Sequence, residues 1–187
     1  MELNASRTMA RTDAAGEPIL LLDQDRALWD RFQIRRGMRA LQRAHELGGA
    51  GGFYALQAAI VACHAEARTP ADTDWSRIAR FYAKLMMIVN SPIIELNRAV
   101  AIGMAEGAEA ALAIIDGLAQ KPDLKGYHLL PSVRGDLLYR LGRFGEARAA
   151  FEAAAALANN KREHDLLARR AAEAARAAMS PQFSPPM

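Results

Sequence analysis

The chain has 187 residues, 51% hydrophobic and 24% charged, with a formal net charge of +3. That length allows one domain with a real core or a short array of repeats, and the balance is that of a globular chain, excluding a fibrous or wholly disordered one. Acidic and basic residues are interspersed on the same segments, so the positive excess reads as solvated mixed-charge faces. A basic stripe with interleaved aromatics, which nucleic-acid binding by this chain alone would need, is not the pattern.

Alanine dominates the apolar share, which favours helix throughout. Residues 1–11 fit a short helix, and residues 12–18 a linker broken by Gly16 and Pro18. The apolar run 19–22 is too short and isolated to pair as a strand, and reads as extended chain packed on the first helix pair. Asp23 or Asp25 caps a helix carrying Leu28, Trp29 and Phe32, which continues through Met38 and Leu41 to Leu47 and is ended by the glycines from Gly48 to Gly52. Residues 53–67 place Leu56, Ile60, Cys63 and Ala67 on one helical stripe. Pro70 keeps residues 69–74 as a loop and cap, after which residues 75–89 form a helix with Ile78, Tyr82, Leu85 and Val89 on its apolar side.

Pro92 opens the next helix at a position where its missing N–H costs nothing. Residues 93–104 and 109–119 make a hairpin around Gly107, and Pro122 and Gly126 bound a connector. Residues 129–141 and 145–157 make a second hairpin turning at Gly142. Residues 161–179 form an Ala-rich helix with a long Arg/Glu face, suited to cap an open repeat stack, and the proline-rich residues 180–187 read as a disordered tail.

One pattern recurs along these helices. Ala111, Ile115 and Leu118 sit at offsets 0, +4 and +7, as do Ala147, Phe151 and Ala154, and Ile78, Tyr82 and Leu85; Gly37, Leu41 and Ala44 give a fainter copy. The anchors lie 41, 33 and 36 residues apart, a period that marks paired helices stacked as an α-solenoid. The last unit resembles a tetratricopeptide repeat at Gly135, Gly142, Ala147, Phe151 and Ala154. It departs from that family where Pro131 stands for the early Trp and Asn159 for the late Pro. The unit before it matches at Ala99, Ala111, Ile115 and Leu118, with its glycine displaced to Gly107. The resemblance implies an all-α, right-handed α-solenoid of helical hairpins with a C-terminal capping helix.

The motifs that would carry chemistry are incomplete. His64-Ala65-Glu66 has the H-x-E order of zinc deaminases, but no P-C-x-x-C follows. Asp72 and Asp74 look like the start of a calcium loop without its glycine and distal glutamate, and a cap before Trp75 is enough to explain them. The sequence holds no G-x-G-x-x-G, Walker loop, G-x-S-x-G or H-E-x-x-H. Cys63 is the single cysteine, so no disulfide closes within the chain, and a reducing compartment fits. With no apolar run of spanning length and no continuous apolar block near Met1, the expectation is a cytoplasmic, non-enzymatic protein without metal, cofactor or membrane contact.

Polar residues that interrupt apolar stripes are the candidate sites. Asn97 and Arg98, Tyr127 and His128, and Arg134 and Asp136 are expected to line a groove holding a protein partner. The alternative is that they pair with one another to lock neighbouring repeats. Asp23, Gln24, Asp25, Arg26 and Trp29, together with His64, Asp74 and Trp75, form a second set, structural or interacting, for which locking is favoured at Asp25 and Arg26.

Five strings carry a second resemblance: LLLDQDRALWD (20–30), LQAAIVACHAEA (56–67), DTDWSRIARFYAKL (72–85), SPIIELNRAVAI (91–102) and GYHLLPSVRGDLLYRLGR (126–143). In that order they resemble the tetratricopeptide-like C-terminal extension of a group of bacterial extracytoplasmic-function (ECF) RNA polymerase sigma factors. Residues 1–18 resemble the helix and linker that follow the DNA-reading helix-turn-helix, and residues 19–179 the repeat domain. The promoter-reading regions themselves have no counterpart, so the resemblance implies a piece of a longer protein with Met1 internal to it. It implies a regulatory, protein-interacting role in transcription initiation. The implied partners are the DNA-binding regions of the same protein, core RNA polymerase or a regulatory protein, with no direct nucleic-acid contact. A free-standing tetratricopeptide-like adaptor is the alternative.

Overall fold

The computed structural model describes residues 2–14, 16–17 and 19–179; the tail read as disordered lies outside them, as does Pro18. The described residues fold as α-helices with short 3-10 turns in some of the connections, and they divide into two compact units, Met1–Asn90 and Ser91–Met187.

The first unit opens with α1 (Glu2–Ala5) and a 3-10 turn (Thr8–Ala10) rather than one helix to residue 11. A second 3-10 turn, Arg26–Leu28, is capped by the Asp25 carboxylate, which accepts from the Ala27 N–H. The expected helix over Leu28, Trp29 and Phe32 therefore needs correction. Trp29 is extended, and α2 (Arg31–Glu46) starts only after Asp30, whose carboxylate accepts from the N–H groups of Phe32 and Gln33. The reason is local: an aspartate satisfying two orphan N–H groups fixes a helix start more firmly than the apolar residues before it. Gly48, at φ +75°, reverses the chain after α2, a backbone state that side-chain-bearing residues rarely adopt.

The next helix, α3 (Phe53–Glu66), runs through the middle of this unit, with α2 and α1 packed on it. A Thr69–Asp72 capping box shapes the following 3-10 turn, and Asp74 caps α4 (Trp75–Ile88), also packed on α3. Leu3, Trp29, Ile34, Ala62 and Ala65 form one buried cluster. Gly37 is required there, because a Cβ would lie 2.5 Å from Leu3 Cγ. Leu3 and Ala10 from the N-terminal segment thus belong to the first core, and Leu21 from the apolar run packs against it, while the described linker residues 12–14 and 16–17 are exposed.

The second unit comprises α5 (Pro92–Ala105), α6 (Ala108–Leu118), α7 (Leu129–Arg140), α8 (Phe144–Leu157) and α9 (Lys161–Met179). Each helix packs on the next, α5 on α6, α6 on α7, α7 on α8 and α8 on α9. The expected hairpin turns lie at Gly107 and Gly142, both with positive φ. The repeat anchors Ala111, Ile115, Leu118, Ala147, Phe151 and Ala154 are all buried in one core with Leu96, Ala99 and Leu138. Small residues at 99, 111, 147 and 154 let the helices approach closely, and Phe151 fills the space left at Gly135, where a Cβ would lie 2.7 Å from its ring. The last helix buries Leu167, Ala171 and Ala174 and turns its charged face outward, as an end cap must.

Candidate functional site

The groove candidates lie in the second unit and do not act as one set. Tyr127 packs against the core with its ring 5.9 Å from that of His128, and His128 Nε2 is 3.5 Å from Glu163 on α9. On α7, Arg134 Nε donates to Asp116 of α6 at 2.8 Å, while Asp136 accepts from Arg170 of α9. Burial pushes the Asp136 carboxyl up and the neighbouring Arg170 guanidinium opposes that shift. Arg134 and Asp136 are two residues apart on one helix, so their side chains diverge and tie α7 to different neighbours. His128, Arg134 and Asp136 thus make contacts between helices, and Tyr127 packs on the core. Asn97 and Arg98 differ: Asn97 is exposed, Arg98 is half-buried, and neither side chain has a hydrogen-bond or ion-pair partner among the described residues.

The second set converges in the first unit around a buried arginine. Arg26 Nη1 donates to the carbonyl oxygens of His64 (2.7 Å) and Ala67 (2.8 Å) at the C-terminal end of α3, and Nη2 to Thr73 Oγ1 (3.3 Å). Those carbonyls have no partner within the helix, and their partial negative charge suits a guanidinium. Two cations lie over the Trp29 ring, Arg26 5.1 Å and Arg7 5.7 Å from its centre. Gln24 donates to the Ile19 carbonyl and fixes the preceding loop, and Asp23 and Asp25 stay exposed. Asp74 caps α4, which sets Trp75 edge-on to the His64 ring at 5.1 Å. His64 is only 8% exposed, a helix-face histidine packed against Trp75. Burial pushes the Cys63 thiol up to about 11, so it is held as the unreactive thiol. Among the described residues no three His, Cys, Asp or Glu side chains gather to hold a metal ion, and no helix is long and apolar enough to cross a membrane.

Burial, with Arg7 and Arg26 nearby, pushes the His64 imidazole down to about 4. A group whose folded pKa lies below its unfolded value near 6.5 contributes its stability in full above that value and loses it as pH falls toward 4. The expected loss is on the order of 3 kcal/mol. Urea unfolding of the wild type and His64→Leu across that window checks this. The wild type should weaken more steeply than the variant, and parallel pH dependences would remove His64 as the cause.

Sequence reasoning missed Ser6, whose carbonyl accepts from the Asp30 N–H at 2.8 Å, and Thr73, the hydroxyl that Arg26 reaches. It also missed a cluster of arginines on α2, although their spacing was there to read.

Fold and site together define, over the described residues, an all-helical, repeat-like protein in which several polar side chains join helix to helix. Residues 1–45 match a family described as "Family of unknown function (DUF6596)", a stretch that ends within α2. The chain is also similar to an uncharacterized protein of Rhizobium meliloti (strain 1021), 45% identical over 161 residues. That match covers 86% of this chain and 37% of the relative, so the chain spans well under half of the relative's length. No solved structure matches the chain.

Proposed function

We propose that this chain is the C-terminal protein-interaction and regulatory domain of an ECF-type RNA polymerase sigma factor, acting in the cytoplasm without catalysing a reaction. In this reading the hairpins of each unit follow the right-handed sense of tetratricopeptide stacking. The surface engages the sigma DNA-binding regions or core RNA polymerase, or a regulatory protein, and so tunes transcription initiation. The observation that carries it is the contrast in the second unit: Tyr127, His128, Arg134 and Asp136 contact neighbouring helices or the core, while Asn97 and Arg98 on α5 stand without partners. Unpaired amide and guanidinium groups on a rigid helix are what a protein-binding groove requires. The five ordered strings support the sigma assignment. The longer Rhizobium relative supports a module within a larger chain over a free-standing adaptor.

The test is a double variant, Asn97→Ala with Arg98→Ala, assayed for binding to core polymerase and to the isolated sigma DNA-binding regions. Affinity should fall roughly tenfold for at least one of them, equivalent to about 1.4 kcal/mol, with the helical circular dichroism unchanged. Unaltered binding to both, in a folded protein, would refute the groove. Unchanged promoter-dependent transcription after deleting residues 19–179 from a full-length sigma factor would count against the regulatory role.

A further inference from the structure

The first unit carries a second surface of different chemistry. Arg31, Arg35, Arg36, Arg39 and Arg43 all lie on α2, against a single acid, Glu46. Arg36 pairs with Glu2 and Arg43 with Glu46, whereas Arg31, Arg35 and Arg39 have no ion-pair or hydrogen-bond partner among the described residues. Their four-residue spacing lines them along one side of the helix, where like charges repel and the free chain is left with a strain that an anion would relieve.

That side borders a groove. Both α2 and α4 pack on α3, and between them lies a cavity of about 560 Å³. Its lining includes the apolar Ile34, Met38, Ala59 and Phe81, with Arg35 and Arg39 along the α2 rim. Arg77, on α4, also borders it and is already engaged by Glu66 at 2.9 Å, so Arg35 and Arg39 hold the uncompensated charge.

We infer that this groove receives an acidic amphipathic helix from a protein partner, its carboxylates paired with Arg35 and Arg39 and its apolar side chains seated against Met38 and Phe81. Two features select this occupant. Guanidinium forks match carboxylates bidentately, and an apolar floor between two helices accepts side chains repeating every three or four residues along a third. A nucleic-acid backbone would use the arginines and leave the apolar floor in water. None of the groove's residues lies on α5, and the inference stands whether or not the sigma reading does.

The experiment uses the full chain and a fluorescently labelled synthetic helix of about five turns, with leucine at helical spacing on one face and glutamate flanking it. Fluorescence anisotropy should show salt-sensitive binding. It should weaken roughly tenfold or more in Arg35→Gln with Arg39→Gln, and likewise for the wild-type chain with a peptide carrying Gln for every Glu. Both arginines are exposed, so the double variant is expected to keep its fold, which circular dichroism verifies; Met38→Glu gives an independent loss through the floor. The inference is overturned if the acidic peptide binds no better than its Gln counterpart, or if the arginine variant binds unchanged. It is equally overturned if duplex DNA, and not the peptide, binds with the same arginine dependence. A wild-type dimer in sedimentation that the double variant disperses would make the occupant a second copy, and would overturn it too.

Discussion

Replacing Phe151 by alanine should remove about 3–5 kcal/mol of stability, a large part of what a domain of this size possesses. The ring is fully buried, and its position follows from the sequence around it. Gly135 on α7 leaves the space that the ring enters, and Ala147 and Ala154, one turn to either side on α8, let α7 and α9 close on it. Arg170 of α9 lies over the ring face at 4.9 Å, so the same side chain also supports the tie from α9 to Asp136. Truncation leaves a cavity that neighbouring alanines are too short to refill. Calorimetry or far-ultraviolet circular dichroism should show a melting point lower by roughly 6–20 °C. Phe151→Leu should lose less, because most of the volume is kept. A loss in Phe151→Ala below about 1 kcal/mol would mean that the ring is not the centre of this core.

Arg26→Met should cost about 3–5 kcal/mol, although it preserves most of the apolar stem. Hydrogen bonds from a charged donor are each worth about 1.5–3 kcal/mol, and here two short ones go to otherwise unpaired carbonyls at the end of α3. Removing the guanidinium strands the His64 and Ala67 carbonyls and takes away one of the two cations against Trp29. Arg26→Lys should rescue little, since one ammonium cannot reproduce a planar fork that reaches two carbonyls and the Thr73 hydroxyl together. Both tryptophans, Trp29 and Trp75, border this site, so their fluorescence during urea unfolding reads the loss directly. An Arg26→Lys variant as stable as the wild type would show that charge alone, and not the fork, holds the α3 terminus.

The sequence by itself determined the helices and most of their ends. Helix starts and stops depend on groups within one turn of each other, and those are adjacent in the chain: Asp74 before α4, Pro92 at the head of α5, Gly48, Gly107 and Gly142 at reversals. The repeat anchors were legible for a related reason. A buried stripe at helical spacing must be apolar and small wherever helices cross, whatever it packs against. Residues 25–30 were misread because two aspartates act as caps there: Asp25 caps a single 3-10 turn, and Asp30, which accepts from the Phe32 and Gln33 N–H groups, starts α2.

The tertiary structure alone decided which polar residues are occupied. Asp116 and Arg134 are 18 residues apart and Asp136 and Arg170 are 34 apart, so no local rule distinguishes them from the unpartnered Asn97 and Arg98. The arginine spacing of α2 was visible in the chain, but its meaning depends on α4 standing across α3 to form the other wall of the groove. Local signals fix elements because their cost is settled within a few residues. Sites depend on which faces meet, and that is settled only when distant segments dock.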